Sequence, residues 1–172
     1  MASRRHLLAC AAAAFAAGGC GFQLRQPPTF SFSTIQVVAS PGSLVGDELR
    51  RNLAVTPALR VLDPAAPGQQ AASAAPQVVF ELLSEQRQKI VVGLNAAGQV
   101  REFQLRSSVS FRLRTPRGRE LIPATELQQQ RDISFNESAV LAREAEEGLL
   151  FRDMQTDLVQ QLLRRLAALK AV

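Results

Sequence analysis

The chain has 172 residues, 47% of them hydrophobic and 20% charged, a composition that fits one globular domain and excludes both a disordered tail and a string of membrane spans. A balance of 20 Lys and Arg against 15 Asp and Glu gives a net charge of +5, which suits an anionic partner without choosing among nucleic acid, acidic lipid and phosphorylated glycan. Trp and Tyr are absent and the one histidine is His6, so removal of the N-terminal segment leaves no imidazole for acid–base or metal chemistry.

Residues 1–19 read as a signal peptide that is removed. Arg4 and Arg5 form a basic start, Leu7 to Ala17 an apolar run, and Ala17-Gly18-Gly19 a stretch of small residues before Cys20. The run is well short of the roughly 20 residues that a spanning helix needs. Ser3-Arg4-Arg5-His6-Leu7-Leu8 also fits a twin-arginine export signal, so both export routes stay open. The small residues ahead of Cys20 resemble the lipobox of bacterial lipoproteins, whose cysteine thiol is acylated and becomes the new N-terminus. Cys20 is therefore the expected lipidation site, residues 20–172 a single mature domain and residues 20–28 its tether, stiffened by Pro27-Pro28. Cys10 leaves with the signal, so no internal disulfide is expected. Acyl chains contribute about 0.8 kcal/mol per buried CH₂, and three of them hold a protein on a membrane. Gly21, not an aspartate, follows the cysteine, which by resemblance to sorted lipoproteins points to the periplasmic side of the outer membrane.

A strand is expected over Phe30 to Val38, rich in β-branched and aromatic residues, with its alternation slipping near Thr34. Pro41-Gly42-Ser43 makes a turn with Ser43 as N-cap, and Val45, Leu49 and Leu53 form one stripe on a short helix. Leu59 to Leu62 reads as a second strand, and the Ala, Pro, Gly and Gln residues between Asp63 and Pro76 as a loop. From Val100 to Arg114, Phe103, Leu105, Val109, Phe111 and Leu113 share one parity and polar residues the other, so one face is buried and one is wet. Gln77 to Val92 and Leu121 to Phe135 flank this strand in a meander, with turns at Gly93–Gly98 and Thr115–Gly118.

Leu150, Met154, Leu158, Leu162, Leu166 and Leu169 then mark a long amphipathic helix, extended backwards by Leu141, Ala145 and Leu149, capped by Asn136 or Ser138, with Glu137 and later glutamates in its first half. The expected fold class is α+β: a small, mainly antiparallel or mixed β-sheet with one short and one long helix on one face.

Without a mature His or a free thiol, Ser-His and Cys-His nucleophiles and His- or Cys-based metal sites are excluded. Glu144, Glu146 and Glu147 sit beside Arg143 and read as surface ion pairs rather than glycosidase carboxylates. No phosphate-cradling glycine loop is present. The expectation is a protein that is not an enzyme and has no cofactor. Between Arg87 and Arg119, eight basic residues face the single acid Glu102, an arginine-rich excess suited to phosphate oxygens. Nucleic acid is not an expected partner, because stacking aromatics are missing.

Cys20-Gly21-Phe22-Gln23-Leu24-Arg25, Val100-Arg101-Glu102-Phe103-Gln104-Leu105 and Val140-Leu141-Ala142-Arg143-Glu144-Ala145-Glu146-Glu147 together resemble the LptE family of lipopolysaccharide-assembly lipoproteins. The resemblance implies an outer-membrane lipoprotein that helps assemble and plugs the β-barrel of its partner LptD and binds lipopolysaccharide on its way to the cell surface. It also implies a small sheet with two helices on one face. A basic residue in the family's Leu-Ala-[Lys/Arg]-[Asp/Glu] stretch is implicated in lipopolysaccharide binding, and Arg143 holds that position. A second basic residue of some members has no counterpart between Val92 and Gly98; Arg101 stands as its substitute. Both arginines are expected off the apolar parity and off the leucine stripe. A structural or pilot lipoprotein for a different outer-membrane secretion barrel is the alternative.

Overall fold

Two tight turns, each closed by a left-handed glycine, shape most of the sheet. Gly98 (φ 77°) and Gly118 (φ 91°) adopt a backbone conformation that side-chain-bearing residues avoid. Their N–H groups reach Asn95 O and Thr115 O, each at 2.9 Å. These turns join β3 (Val78–Leu94), β4 (Val100–Arg114) and β5 (Glu120–Ser134) into an antiparallel meander. The computed structural model describes residues 28–62, 75–135 and 140–170. The expected signal peptide, Cys20 and the tether before Pro28 lie outside them. So do most of the loop after Asp63 and the helix start at Asn136, Glu137 and Ser138.

Upstream lie β1 (Thr34–Val38), the short helix α1 (Leu44–Ala54) and β2 (Arg60–Leu62); the long helix α2 (Val140–Ala167) closes the order. The strands form one sheet, β2-β1-β3-β4-β5, in which β1 runs parallel to both neighbours. The fold is therefore α+β with a mixed sheet, one short helix and one long one. The regular β1 ladder starts at Thr34 rather than Phe30, because the Gln77 side chain takes the Ser33 N–H at 2.7 Å. Phe30 and Phe32 instead pack together in the lead-in, their rings tilted by 34° with centroids 5.4 Å apart.

The parity of β4 decides where the core lies. Leu105, Val109, Phe111 and Leu113 are fully buried beneath the helices, and Phe111 stacks on Phe80 of β3 at 5.5 Å. The even positions look out from the uncovered face. α1 begins as expected: Ser43 Oγ accepts the Gly46 N–H at 2.9 Å and donates to Glu85 Oε2 at 2.6 Å. A Cβ at Gly46 would lie 2.7 Å from Ala39 Cβ, so glycine lets this helix start against the end of β1.

Along α2, Met154, Leu158, Leu162 and Leu166 are buried, but the backward extension of the stripe does not hold. Ala145 and Leu149 are exposed. One turn before Leu150 the sheet-facing position is that of Glu147, three residues back, and Leu149 is rotated by about 100° away from Leu150. Leu141 lies in a part of the helix whose side chains are outside the description. The first turn, 140–143, also carries no acid.

The register places an extra residue, Leu83, between Leu82 and Ser84 of β3. Such a bulge reverses the side-chain phase of the strand. Before it Val78, Phe80 and Leu82 face the helices; after it Glu85, Arg87 and Lys89 do. Two core clusters result. The larger holds β1, α1 and the second half of α2, and the smaller holds Leu105, Ile133 and Met154.

Phe111→Asp places an unpaired carboxylate in the larger cluster, at a cost of several kcal/mol that rivals a domain's whole stability. Ser110→Ala, on the uncovered face, changes stability by about 0.5 kcal/mol or less. Urea unfolding of the two variants checks the assignment of faces; equal losses would contradict it.

Candidate functional site at the distal tip

The end of the sheet carrying the β3–β4 turn, opposite the end where residue 28 enters, gathers cations among apolar side chains. Asn95 organises the turn: its Oδ1 accepts the N–H groups of Ala97 (3.0 Å) and Gln99 (2.9 Å). Behind the turn, Lys89 Nζ lies 4.5 Å from the centre of the Phe103 ring and 2.6 Å from Glu147 Oε2 of α2. Phe103 meets Phe135 edge-on at 5.4 Å. Val91, Val92, Leu94 and Leu149 are exposed around this cluster, Leu94 by 61%.

Arg101 belongs here. Its carbonyl accepts the Phe135 N–H at 2.8 Å, its side chain is exposed, and it has no side-chain partner among the described residues. Contrary to expectation it shares the parity of Phe103 and Leu105, a correction that follows from strict alternation along β4. It stays exposed because it stands at the strand's end. Arg143 reaches the same end, since α2 begins five residues after Phe135, a reach of at most about 18 Å. Arg143 ion-pairs with Glu146 at 2.7 Å and keeps 31% of its side chain exposed. Contrary to expectation it stands four residues before Glu147, on the helix side that continues to Leu150 and Met154, and it stays partly exposed because it lies in the first turn.

Lys89 and the apolar rim were not singled out from the sequence. The run Ile90-Val91-Val92-Gly93-Leu94, apolar on both parities just before a turn, is the signal that could have found them. An apolar rim beside guanidinium and ammonium groups suits an amphiphile with an anionic head: the rim takes hydrocarbon and the cations take phosphate or carboxylate oxygens.

The arginine-rich stretch from Arg87 to Arg119 is not one patch, because a hairpin sends neighbours in sequence to opposite ends. Arg87 crosses under α2, donating to Gln155 Oε1 at 2.6 Å and lying 5.6 Å from the Phe151 ring centre. Arg112 and Arg114 both bind Glu81 on the uncovered face, Arg114 at 2.6 Å. Arg117 and Arg119 lie in the β4–β5 turn at the far end. Among the described residues no group of His, Cys, Asp and Glu could hold a metal ion, and no helix is long and apolar enough to cross a membrane.

A family model described as LptE, lipopolysaccharide-assembly, matches residues 32–166. The chain belongs to the LptE family. It is similar to the solved structure of an uncharacterised lipoprotein B from Nitrosomonas europaea, at 31% identity and a TM-score of 0.71 over 86% of this chain and 91% of that one. Rare lipoprotein B from Shewanella oneidensis shares the fold at 18% identity and a TM-score of 0.64, over 79% and 95% of the two chains. A minor lipoprotein from Acinetobacter baumannii does so at 15% and 0.62, over 81% and 94%. Comparison with curated proteins yields no match. The LptE membership makes this a lipopolysaccharide-assembly protein.

The paired arginines beside Glu81 hold its carboxyl below the ordinary value of 4.5: the Arg114 hydrogen bond is the largest cause, burial opposes it, and the Arg112 hydrogen bond and the charges of both arginines complete the lowering. A lowered value means that the folded state favours the ionised form, so this stability is present above the ordinary range and lost as pH falls through the lowered value. Glu81→Gln is expected to cost about 1 kcal/mol at neutral pH. The gap between wild type and variant should close as denaturation is repeated in progressively more acid buffer.

Proposed function

We propose that the chain is an outer-membrane lipoprotein, anchored through acylated Cys20 on the periplasmic side, that assembles with and plugs the LptD β-barrel. In the same reading it binds lipopolysaccharide during transport to the outer leaflet, by binding rather than by catalysis. The observation that carries the ligand half is the distal tip, where exposed Arg101 and partly exposed Arg143 stand with an exposed apolar rim. Lipid A carries phosphates on a sugar backbone and several acyl chains, and both halves of that chemistry are complemented there. Family membership supports LptD as the barrel; a pilot role for another secretion barrel has no observation in its favour.

Native protein isolated from membranes should carry acyl chains on Cys20 by mass, and Cys20→Ser should release it from the membrane fraction. An unmodified thiol would end the anchor reading. Affinity purification of the chain from solubilised outer membranes should recover LptD, and recovery of a different secretion barrel would favour the pilot role instead.

The ligand reading makes a separate prediction. Arg101→Glu combined with Arg143→Glu should weaken lipopolysaccharide binding at least about tenfold, the sum of two partly shielded charge-assisted bonds. Circular dichroism and LptD recovery should be unchanged, because neither side chain is buried in a core cluster. Binding is measured at two salt concentrations. Unchanged affinity, or affinity indifferent to salt, would remove these residues from the site.

A further inference from the structure

The opposite end of the molecule carries a second concentration of charge that the distal site leaves unused. Strand polarity places there the start of β2, the turn between β4 and β5, and the last turns of both helices: α1 leads back to the start of β2, and α2 returns antiparallel to β5. Arg51, Arg60, Arg117, Arg119, Arg164 and Arg165 therefore share this end, and all six are exposed. None makes an ion pair among the described residues, whereas Arg50, Arg112 and Arg114 are committed to carboxylates. The described acids at this end are Glu81, held by its two arginines, and Glu120.

Arg117 and Arg119 line a groove of about 700 Å³ together with Thr115, Pro116, Ser31 and Gln77. Ser31 is eleven residues from Cys20 in the sequence. A chain of that length spans at most about 40 Å when fully extended, so a protein held by acylated Cys20 keeps this groove close to the bilayer that holds the acyl chains. Free guanidinium groups, an open groove of headgroup size and a short tether coincide at one end of the sheet.

We propose that this tether-end rim docks on anionic phospholipid of the leaflet that holds the anchor, with Arg117 and Arg119 binding headgroup phosphate. This rests on the anchor reading of Cys20 for its geometry. The rim turns a single-point attachment into an oriented one: the acyl chains hold the protein at the surface, and the arginines face the tether end towards the lipid and the distal tip away from it. A basic side chain near an anionic leaflet strengthens partitioning about fivefold, and two of them act together.

The test uses the exported chain carrying Cys20→Ser, so that no acyl chain contributes, in flotation with vesicles of phosphatidylcholine alone or mixed equally with phosphatidylglycerol. The chain should float with the mixed vesicles and not with phosphatidylcholine, and raising the salt should release it. Arg117→Gln with Arg119→Gln should weaken flotation at least about tenfold, while Arg101→Glu with Arg143→Glu leaves it unchanged. LptD recovery and lipopolysaccharide binding, measured on the same Arg117/Arg119 variant, should be unaffected. Equal flotation of variant and parent would overturn the proposal. So would loss of LptD from a variant that still floats, which assigns the rim to a protein interface. Loss of lipopolysaccharide binding with phosphatidylglycerol flotation intact would also overturn it, by assigning the arginines to the other phosphate-bearing lipid. Acylation of Cys20 is read independently from the mass of the native protein, so failure of the anchor reading is distinguishable from failure of the rim.

Discussion

The reversal of side-chain phase at Leu83 is the constraint on which the rest of the molecule depends. A strand with unbroken alternation would send Phe80 and Ser84 to the same face and leave Glu85, Arg87 and Lys89 on the uncovered one. One additional residue exchanges the faces. The first half of β3 then contributes Val78 and Phe80 to the core, and the second half lays three charged residues under the helices. Glu85 meets the N-cap of α1, Arg87 meets Gln155, and Lys89 meets Glu147. The apolar half and the polar half of one strand are thus different in function: the first holds the sheet to the helices, and the second supports the distal tip.

Gln155 ties these parts together. Its amide nitrogen donates to Glu48 at 2.5 Å and to Leu44 O at 3.3 Å in α1, while its oxygen accepts from Arg87 of β3. A nine-tenths-buried amide with three hydrogen bonds to three different side chains or backbone groups fixes the two helices and the sheet relative to one another. Ser107 is buried nearby on β4, opposite Arg87 in the register. A polar belt therefore crosses the helix–sheet interface, and the apolar contacts fall on either side of it. Small polar residues suit this position because nothing bulky fits between strand and helix where a guanidinium group must pass.

Much of this was legible from local pattern. The alternation of β4, the two glycine turns, the capped stripe of α1 and the four-residue spacing along α2 each lie within one continuous segment, where periodicity acts directly on burial. What escaped depends on comparison between segments. The parallel pairing of β1 needs the positions of β2 and β3. Leu82-Leu83 reads as an ordinary apolar pair, and only the partner strand reveals that one residue is supernumerary. The arginine-rich stretch reads as one basic surface because a linear sequence does not display the hairpin that divides it. Arg101 was a different case: its parity was available from its number, and its exposure comes from its place at the strand's end. Of the candidate site, the two arginines were accessible through resemblance, whereas Lys89 and the apolar rim required the fold.

The polar belt also sets how the molecule breathes. The core is divided into a large cluster and a small one of Leu105, Ile133 and Met154, and parts of a fold that share little apolar contact are those expected to open separately. Amide protons of β4 near Val109 and Phe111, in the larger cluster, are expected to exchange more slowly than those near Phe103, beside the smaller one. The two ends of the sheet are thus held by cores of different size, the larger around Phe80 and Phe111 and the smaller around Leu105 and Met154.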